Sequence, residues 1–203
     1  MKISYAITVC NELEEVKRLL DLLLNNKREQ DEIVVLYDNY GSKEVFFYLQ
    51  TVDGIKLVWD NFQHDFAEWK NKLTLLCTGD YIFQIDADEY PHINFIEDLP
   101  AILETNPEVD LYLVPRVNTV DGLTQEHIQK WGWHVDSNGW VNWPDWQHRV
   151  YKNTPEIKWQ NKVHEILVGH KQFVYLPQDE NYALFHPKII QRQEKQNNYY
   201  DTL

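Results

Sequence analysis

The order of apolar runs and amphipathic segments in the first half of the chain limits the fold more than any other feature. Residues 3–9 are an apolar run that predicts a strand, and residues 12–26 carry Leu13, Val16, Leu19, Leu20 and Leu23 at helical spacing, with Asn11 as cap. Residues 32–37 form a second strand, bounded by Asp38, Asn39 and Gly41, and Ser42 caps a short helix to about Gln50. A third strand at 55–59 and a third helix at 64–77, with Phe66, Trp69, Leu73 and Leu76 on one face, follow. Gly79-Asp80 then turns the chain into a fourth strand at 81–85. Strand and helix in alternation predict an α/β fold with a mainly parallel sheet and right-handed crossovers. Ligands of such sheets bind beyond the carboxyl ends of the strands. Three polar loops begin there, at residues 8–12, 38–42 and 86–89.

After Pro91 the pattern changes. Residues 93–105 predict a helix interrupted at Pro100, and 111–114, 147–151, 173–176 and 182–185 predict strands. Residues 162–167 suit a short turn or helix, 189–200 are polar and helix-prone, and 118–145 are too irregular to assign. No repeat or linker divides the 203 residues, a length sufficient for one domain with a substantial core.

The net charge of -13 argues against a nucleic-acid partner, although a bound divalent cation reverses the local field for an anionic ligand. Cys10 and Cys77 are isolated and lie in apolar stretches, which predicts buried thiols. The start, Met1-Lys2-Ile3-Ser4-Tyr5, lacks a signal-peptide layout and no apolar run approaches membrane-spanning length, so a cytoplasmic protein without a transmembrane segment is expected. Aromatic residues make up 14%, with Trp131, Trp133, Trp140, Trp143 and Trp146 close together. Flat rings suit both sugars and cores, and several of these five are expected in the core.

The sharpest chemical signal is Asp86-Ala87-Asp88-Glu89 at the end of the fourth strand. Residues two apart on extended chain face the same way, so Asp86 and Asp88 converge on one object, and such a pair suits Mg²⁺ or Mn²⁺. A bare pair of this kind is more often a solvated acidic turn; its place at a strand end in this pattern favours function. Downstream lie Trp143-Pro144-Asp145-Trp146-Gln147-His148-Arg149 and then Val163-His164-Glu165. In this order the motifs resemble the family 2 glycosyltransferases of the GT-A fold. Within them they are similar to the branch that adds sugars to lipopolysaccharide cores.

The resemblance implies a nucleotide-binding half at 1–90 and a smaller acceptor-side lobe at 91–203. It implies a nucleoside-diphosphate sugar donor, UDP-linked in the first instance, with Mn²⁺ or Mg²⁺ between its phosphates and transfer by inversion to a glycan, lipid-linked or protein acceptor. Asp88 would ligate the metal and Asp86 the metal or the ribose; His186, or else His164, would complete the shell. Thr8, Asn11, Asp38 and Lys70 would line the nucleotide side, with a turn-forming Asp and an exposed helix lysine as the plainer readings of the last two. Asp145 would be the base, its pKa raised by Trp143 and Trp146, or else a loop carboxylate paired with Arg149; Glu165 is the reserve. Gln147 and Arg149 would touch the diphosphate or fix the acceptor loop, and Trp143, Trp146 and Glu165 the acceptor.

The chain is shorter than typical members of that family, and residues 189–195 are mixed in charge rather than a basic membrane-surface helix, which favours a soluble acceptor. Three rivals stand beside this reading. A sugar nucleotidyltransferase would show a Gly-rich loop where Val9-Cys10-Asn11-Glu12 stands. A glycoside hydrolase would use Asp145 and Glu165 as its carboxylate pair but has no need of the upstream pattern. A lectin-like module would keep the aromatic surface without turnover.

Overall fold

The computed structural model describes residues 1–200. The first half follows the alternation: β1 (Ile3–Val9), α1 (Leu13–Asn26), β2 (Glu32–Asp38), α2 (Lys43–Gln50), β3 (Ile55–Asp60), α3 (Phe66–Leu76) and β4 (Tyr81–Asp86). These strands are parallel, in the order β3-β2-β1-β4. Burial on both faces explains the unbroken apolar character of β1, β2 and β4, whereas the edge strand β3 is only part-buried. Along β2, Ile33 and Val35 pack on one side with the α1 stripe of Val16, Leu19, Leu20 and Leu23, while Val34 and Leu36 pack on the other with Ala67, Trp69 and Leu73 of α3.

Two helix starts differ from expectation. The Glu12 carboxylate accepts the N–H groups of both Cys10 and Asn11 at 2.9 Å, so α1 begins after Glu12 and Asn11 is not its cap. Helix α3 begins at Phe66 because the Asp65 side chain accepts the Glu68 N–H, satisfying one of the unpaired donors of the first turn.

The second half holds β5 (Tyr90–Pro91), α4 (Ile93–Thr105), β6 (Leu111–Asp121), α5 (Gln125–Trp131) and β7 (Val141–Lys152). Then come β8 (Lys158–Gln160), β9 (Ile166–Val168), β10 (Phe173–Tyr175), β11 (Leu184–Ile189) and α6 (Ile190–Tyr200). The sheet continues from β4 through β7, β6 and β11 to β5, with β7 antiparallel to both its neighbours and β10 paired to β6. Strands β8 and β9 form a separate hairpin.

Most of the stretch that looked irregular is therefore regular. Strands β6 and β7 extend seven and six residues beyond the expected ends at Val114 and Gln147, and α5 lies between them, capped by Thr124 and closed by Gly132 at φ 64°. The strand extensions carry Arg116, Asn118, Asn142 and Asp145, which face a cleft instead of the core and so hide the apolar pattern. Helix α4 runs unbroken through Pro100, with Leu99 and Leu103 buried on either side of it. Where a short turn or helix is expected at 162–167, the chain forms bends up to His164 and then enters β9 at Ile166; a single 3₁₀ turn at Glu180–Tyr182 delays the last strand to Leu184.

Candidate active site

One cleft of about 1480 Å³ lies over the carboxyl ends of β1, β2 and β4 and against β6, β7, β11 and α6. The loops after β1 and β2 meet tightly on its floor. A Cβ on Gly41 would sit 2.2 Å from the Cys10 carbonyl oxygen, so only glycine lets these loops touch. Asp38 fixes the second loop from inside: it is buried, and its Oδ1 accepts the Tyr40 and Phe62 N–H groups at 3.1 Å each.

Sheet register builds the centre. Thr8 is paired with Asp86 across β1 and β4, and the Thr8 hydroxyl donates to Asp86 Oδ1 at 3.2 Å. Lys70 Nζ lies 3.5 Å from the same oxygen, and Arg149 Nη2 donates to Asp86 Oδ2 at 2.8 Å. Burial alone would raise the Asp86 carboxyl, but Arg149 and then Lys70 reverse it and hold it well below the usual carboxylate range. Arg149 also reaches buried Glu89 at 2.7 Å, and Arg116 meets the same Glu89 oxygen at 2.8 Å. Arg116 and Asp145 face one another across β6 and β7, and Nη2 donates to Asp145 Oδ2 at 2.6 Å. Asp145 further accepts from Asn118 at 2.8 Å and Gln147 at 2.7 Å.

Asp86 and Asp88 line the same cleft but take different partners. The strand ends at Asp86 and the chain turns, the Glu89 N–H returning to the Asp86 carbonyl at 2.9 Å. Asp88 thus takes different partners: His186 Nε2 at 3.2 Å and Arg192 Nη2 at 3.4 Å. The hydrogen-bond network fixes the His186 ring. Asn118 spends its amide N–H₂ on the Asp145 carboxylate, so its Oδ1, 2.8 Å from His186 Nδ1, must accept from the ring. In neutral His186 the Nε2 lone pair then faces the Asp88 carboxylate: two acceptors side by side. Burial depresses the His186 pKa although Asp88 opposes it. Such a pair is satisfied by a cation between them. A carboxylate and an imidazole nitrogen are donors that suit a divalent ion, so Asp88 and His186 are the residues that would hold it.

Residues 4–174 match the profile of Glycosyl transferase family 2. The chain belongs to that family. Among its relatives, a TPR repeat-containing protein of Synechococcus elongatus is 26% identical over 162 residues, covering 79% of this chain and 35% of its own length. The SPbeta prophage-derived glycosyltransferase SunS of Bacillus subtilis is 22% identical over 164 residues, covering 80% and 34%. Among solved structures, S. aureus TarS 1-349 in complex with UDP-GlcNAc superposes with a TM-score of 0.62 at 14% identity, over 93% of this chain and 59% of TarS 1-349. The complex of the same protein with UDP gives 0.62 at 13% identity, over 92% and 60%. The fold is GT-A. This chain spans about a third of the curated relatives' length, 35% and 34%, and about 60% of TarS 1-349.

In this family 2 glycosyltransferase domain, Thr8, Asn11, Asp38, Lys70, Asp86, Asp88, Asp145, Trp146, Arg149, Glu165 and His186 all line the one cleft; Trp143 does not, and packs instead on Trp140 at 5.0 Å. Lys70 is buried between Asp86 and Glu165, 2.7 Å from the latter and 4.8 Å above the Trp159 ring, so it is not an exposed helix lysine. Asn71 beside it pins β8 by exchanging hydrogen bonds with the Trp159 backbone at 2.9 and 2.8 Å. The Asp145 partner is Arg116, not Arg149. Burial raises the Asp145 carboxyl as expected, but Arg116, Asn118 and Gln147 outweigh it and the net shift is downward. None of the five tryptophans between 131 and 146 belongs to the core; each is half-buried. Cys77 is buried, but Cys10 is half-buried on the cleft wall, its thiol pushed up to about 12 by burial and by Asp38. His164 lines the cleft in a left-handed conformation, φ 53°, as do Asn142 and His64 at 53° and 59°.

The sequence reading missed Glu89, Arg116, Asn118, Lys188 and Arg192 as site residues. The alternation of Arg116 with Asn118, and of His186 with Lys188, is a two-residue period that places each pair on one strand face. That signal was present once β6 and β11 were extended to their full length. Lys188 is buried in the same wall, and its pKa falls to about 8 because burial outweighs the nearby Asp88.

Proposed function

We propose that this domain transfers a hexose from a nucleoside-diphosphate sugar, UDP-linked in the first instance, to an acceptor hydroxyl with inversion, assisted by Mn²⁺ or Mg²⁺. The observation that carries this reading is the Asp88 carboxylate facing His186 Nε2 at 3.2 Å, just beyond the end of β4 in a cleft large enough for donor and acceptor. Among the described residues no cluster of three or more His, Cys, Asp or Glu side chains is built for a metal. Asp88 and His186 would be the protein ligands of such an ion. A cation held by Asp88 and His186 would supply positive charge to offset the negative charge of the departing diphosphate. The UDP-GlcNAc and UDP complexes of TarS, which has the same fold, support a uridine donor.

The chain's own residues divide the work. Thr8, Asn11 and Asp38 face the nucleoside. Asp86, locked by Arg149, Lys70 and Thr8, lies beside the metal position and serves the ribose. Asp145 takes the acceptor proton as the acceptor oxygen bonds to the anomeric carbon and the bond to the diphosphate breaks. Its ion pair with Arg116 keeps it ionised, which a base requires, and leaves Glu165, tied to Lys70, in a positioning role. Trp146 and Glu165 border the acceptor side, where the motif likeness to lipopolysaccharide-core enzymes points to a glycan, free or carried on lipid or protein. No helix among the described residues is long and apolar enough to cross a membrane, and a cytoplasmic location belongs to the same proposal.

The test is a screen of nucleotide sugars with Mn²⁺, following release of the nucleoside diphosphate. Asp145→Asn should bind UDP as the native chain does, yet lose roughly 10²- to 10⁴-fold in turnover of the best donor. Undiminished turnover would remove Asp145 as the base.

A further inference from the structure

Helix α6 returns one side chain across the mouth of the cleft. Arg192 Nη1 lies 2.7 Å from Glu15 Oε1, and Nη2 lies 3.0 Å from Glu12 Oε1 and 3.4 Å from Asp88 Oδ2. One guanidinium is thus shared by two carboxylates of α1 and its cap and by the carboxylate proposed to hold the metal. A tether for α6 needs only the Glu15 contact. The contact with Asp88 places the same fork where a diphosphate would sit, and a guanidinium fork matches phosphate oxygens in pairs. Its release from α1 would not strand Glu12, whose other oxygen already accepts the Cys10 and Asn11 N–H groups at 2.9 Å. Gln191, Gln193 and Lys195 of α6 line the cleft as well, so a shift of Arg192 moves a wall of the site.

We propose that Arg192 is an exchangeable clasp that trades Glu15 and Asp88 for the donor diphosphate, drawing α6 over the loaded cleft. The proposal rests on the nucleotide-sugar reading above and adds a specific residue that reads the diphosphate. It makes Glu15 a competitor of the ligand, which gives the two partners opposite effects.

The experiment is equilibrium titration of the intact chain with UDP in the presence of Mn²⁺, and with uridine. Arg192→Gln should weaken UDP about tenfold or more, the loss typical of a hydrogen bond between charged groups, and leave uridine unchanged. Arg192→Lys should recover part of that loss. Glu15→Gln, which removes the competitor, should tighten UDP. If Arg192 merely anchors α6, both Gln variants would weaken binding together, and uridine would fall with UDP; either result overturns the clasp. Native binding of UDP with an unchanged Arg192→Gln variant overturns this inference alone. A native chain that binds no UDP overturns the donor reading and the clasp with it.

Discussion

At the scale of single residues, the site is organised around a carboxylate to which the sequence reading gave no role. Glu89 is 1% exposed and receives both Arg116 and Arg149 through one oxygen. Removing it leaves the buried Arg149 and half-buried Arg116 guanidinium groups without their common counter-ion. Glu89→Ala should therefore lower stability by about 3–5 kcal/mol, read from urea unfolding; a change within about 0.5 kcal/mol, the usual range for surface substitutions, would show that the network does not depend on it. The Asp86-Ala87-Asp88 spacing was legible, but its geometry was not. A same-face pair presumes extended chain, whereas the turn closed by Glu89 sends Asp88 to His186 and leaves Asp86 with Arg149. A turn of that kind depends on what Glu89 binds, and those partners come from strands 27 and 60 residues away.

Among the elements, the parallel half was readable because β1, β2 and β4 are buried on both faces and its helices on one stripe, and both conditions write legible patterns. The second half was not, since β6 and β7 leave the core midway and carry their functional side chains on polar extensions. The β8–β9 hairpin shows how such pieces are held. His148 of β7 accepts the Leu167 N–H at 2.8 Å through Nδ1, an acceptor role that requires the neutral ring. Burial, then His170 and Arg149, lower its pKa below the ordinary histidine value. A depressed folded-state pKa gives stability that is fully present above the unfolded value, near 6.5, and is lost as pH falls through the folded value. Urea midpoints should thus fall from pH 7.5 to pH 5. His148→Ala should start lower at pH 7.5 and show a shallower decline, by no more than about one proton's worth of slope. Parallel profiles for the two chains would mean that His148 does not titrate against the hairpin.

For the molecule as a whole, net charge misdescribes the site. The chain carries -13, yet Lys70, Arg116, Arg149, Lys188 and Arg192 gather around Asp86, Asp88 and Glu89 in the cleft. Charge composition speaks to a polyanion across the surface and says nothing of a single anion at the centre, because the basic side chains are paired there with carboxylates. Fold class was legible from the first half alone. The architecture of the second half waited on contacts between β6, β7 and β11, which no local pattern encodes.

The central claim is that Asp88 and His186 form half of a metal site completed by the donor diphosphate. Calorimetry of UDP binding with and without Mn²⁺, on the native chain and on Asp88→Asn, tests it most directly. Mn²⁺ should tighten UDP binding at least about tenfold in the native chain, as expected when an ion bridges protein and phosphate. Asp88→Asn should lose that dependence while keeping the native circular dichroism. Equal UDP affinity with and without the metal in the native chain would contradict the account.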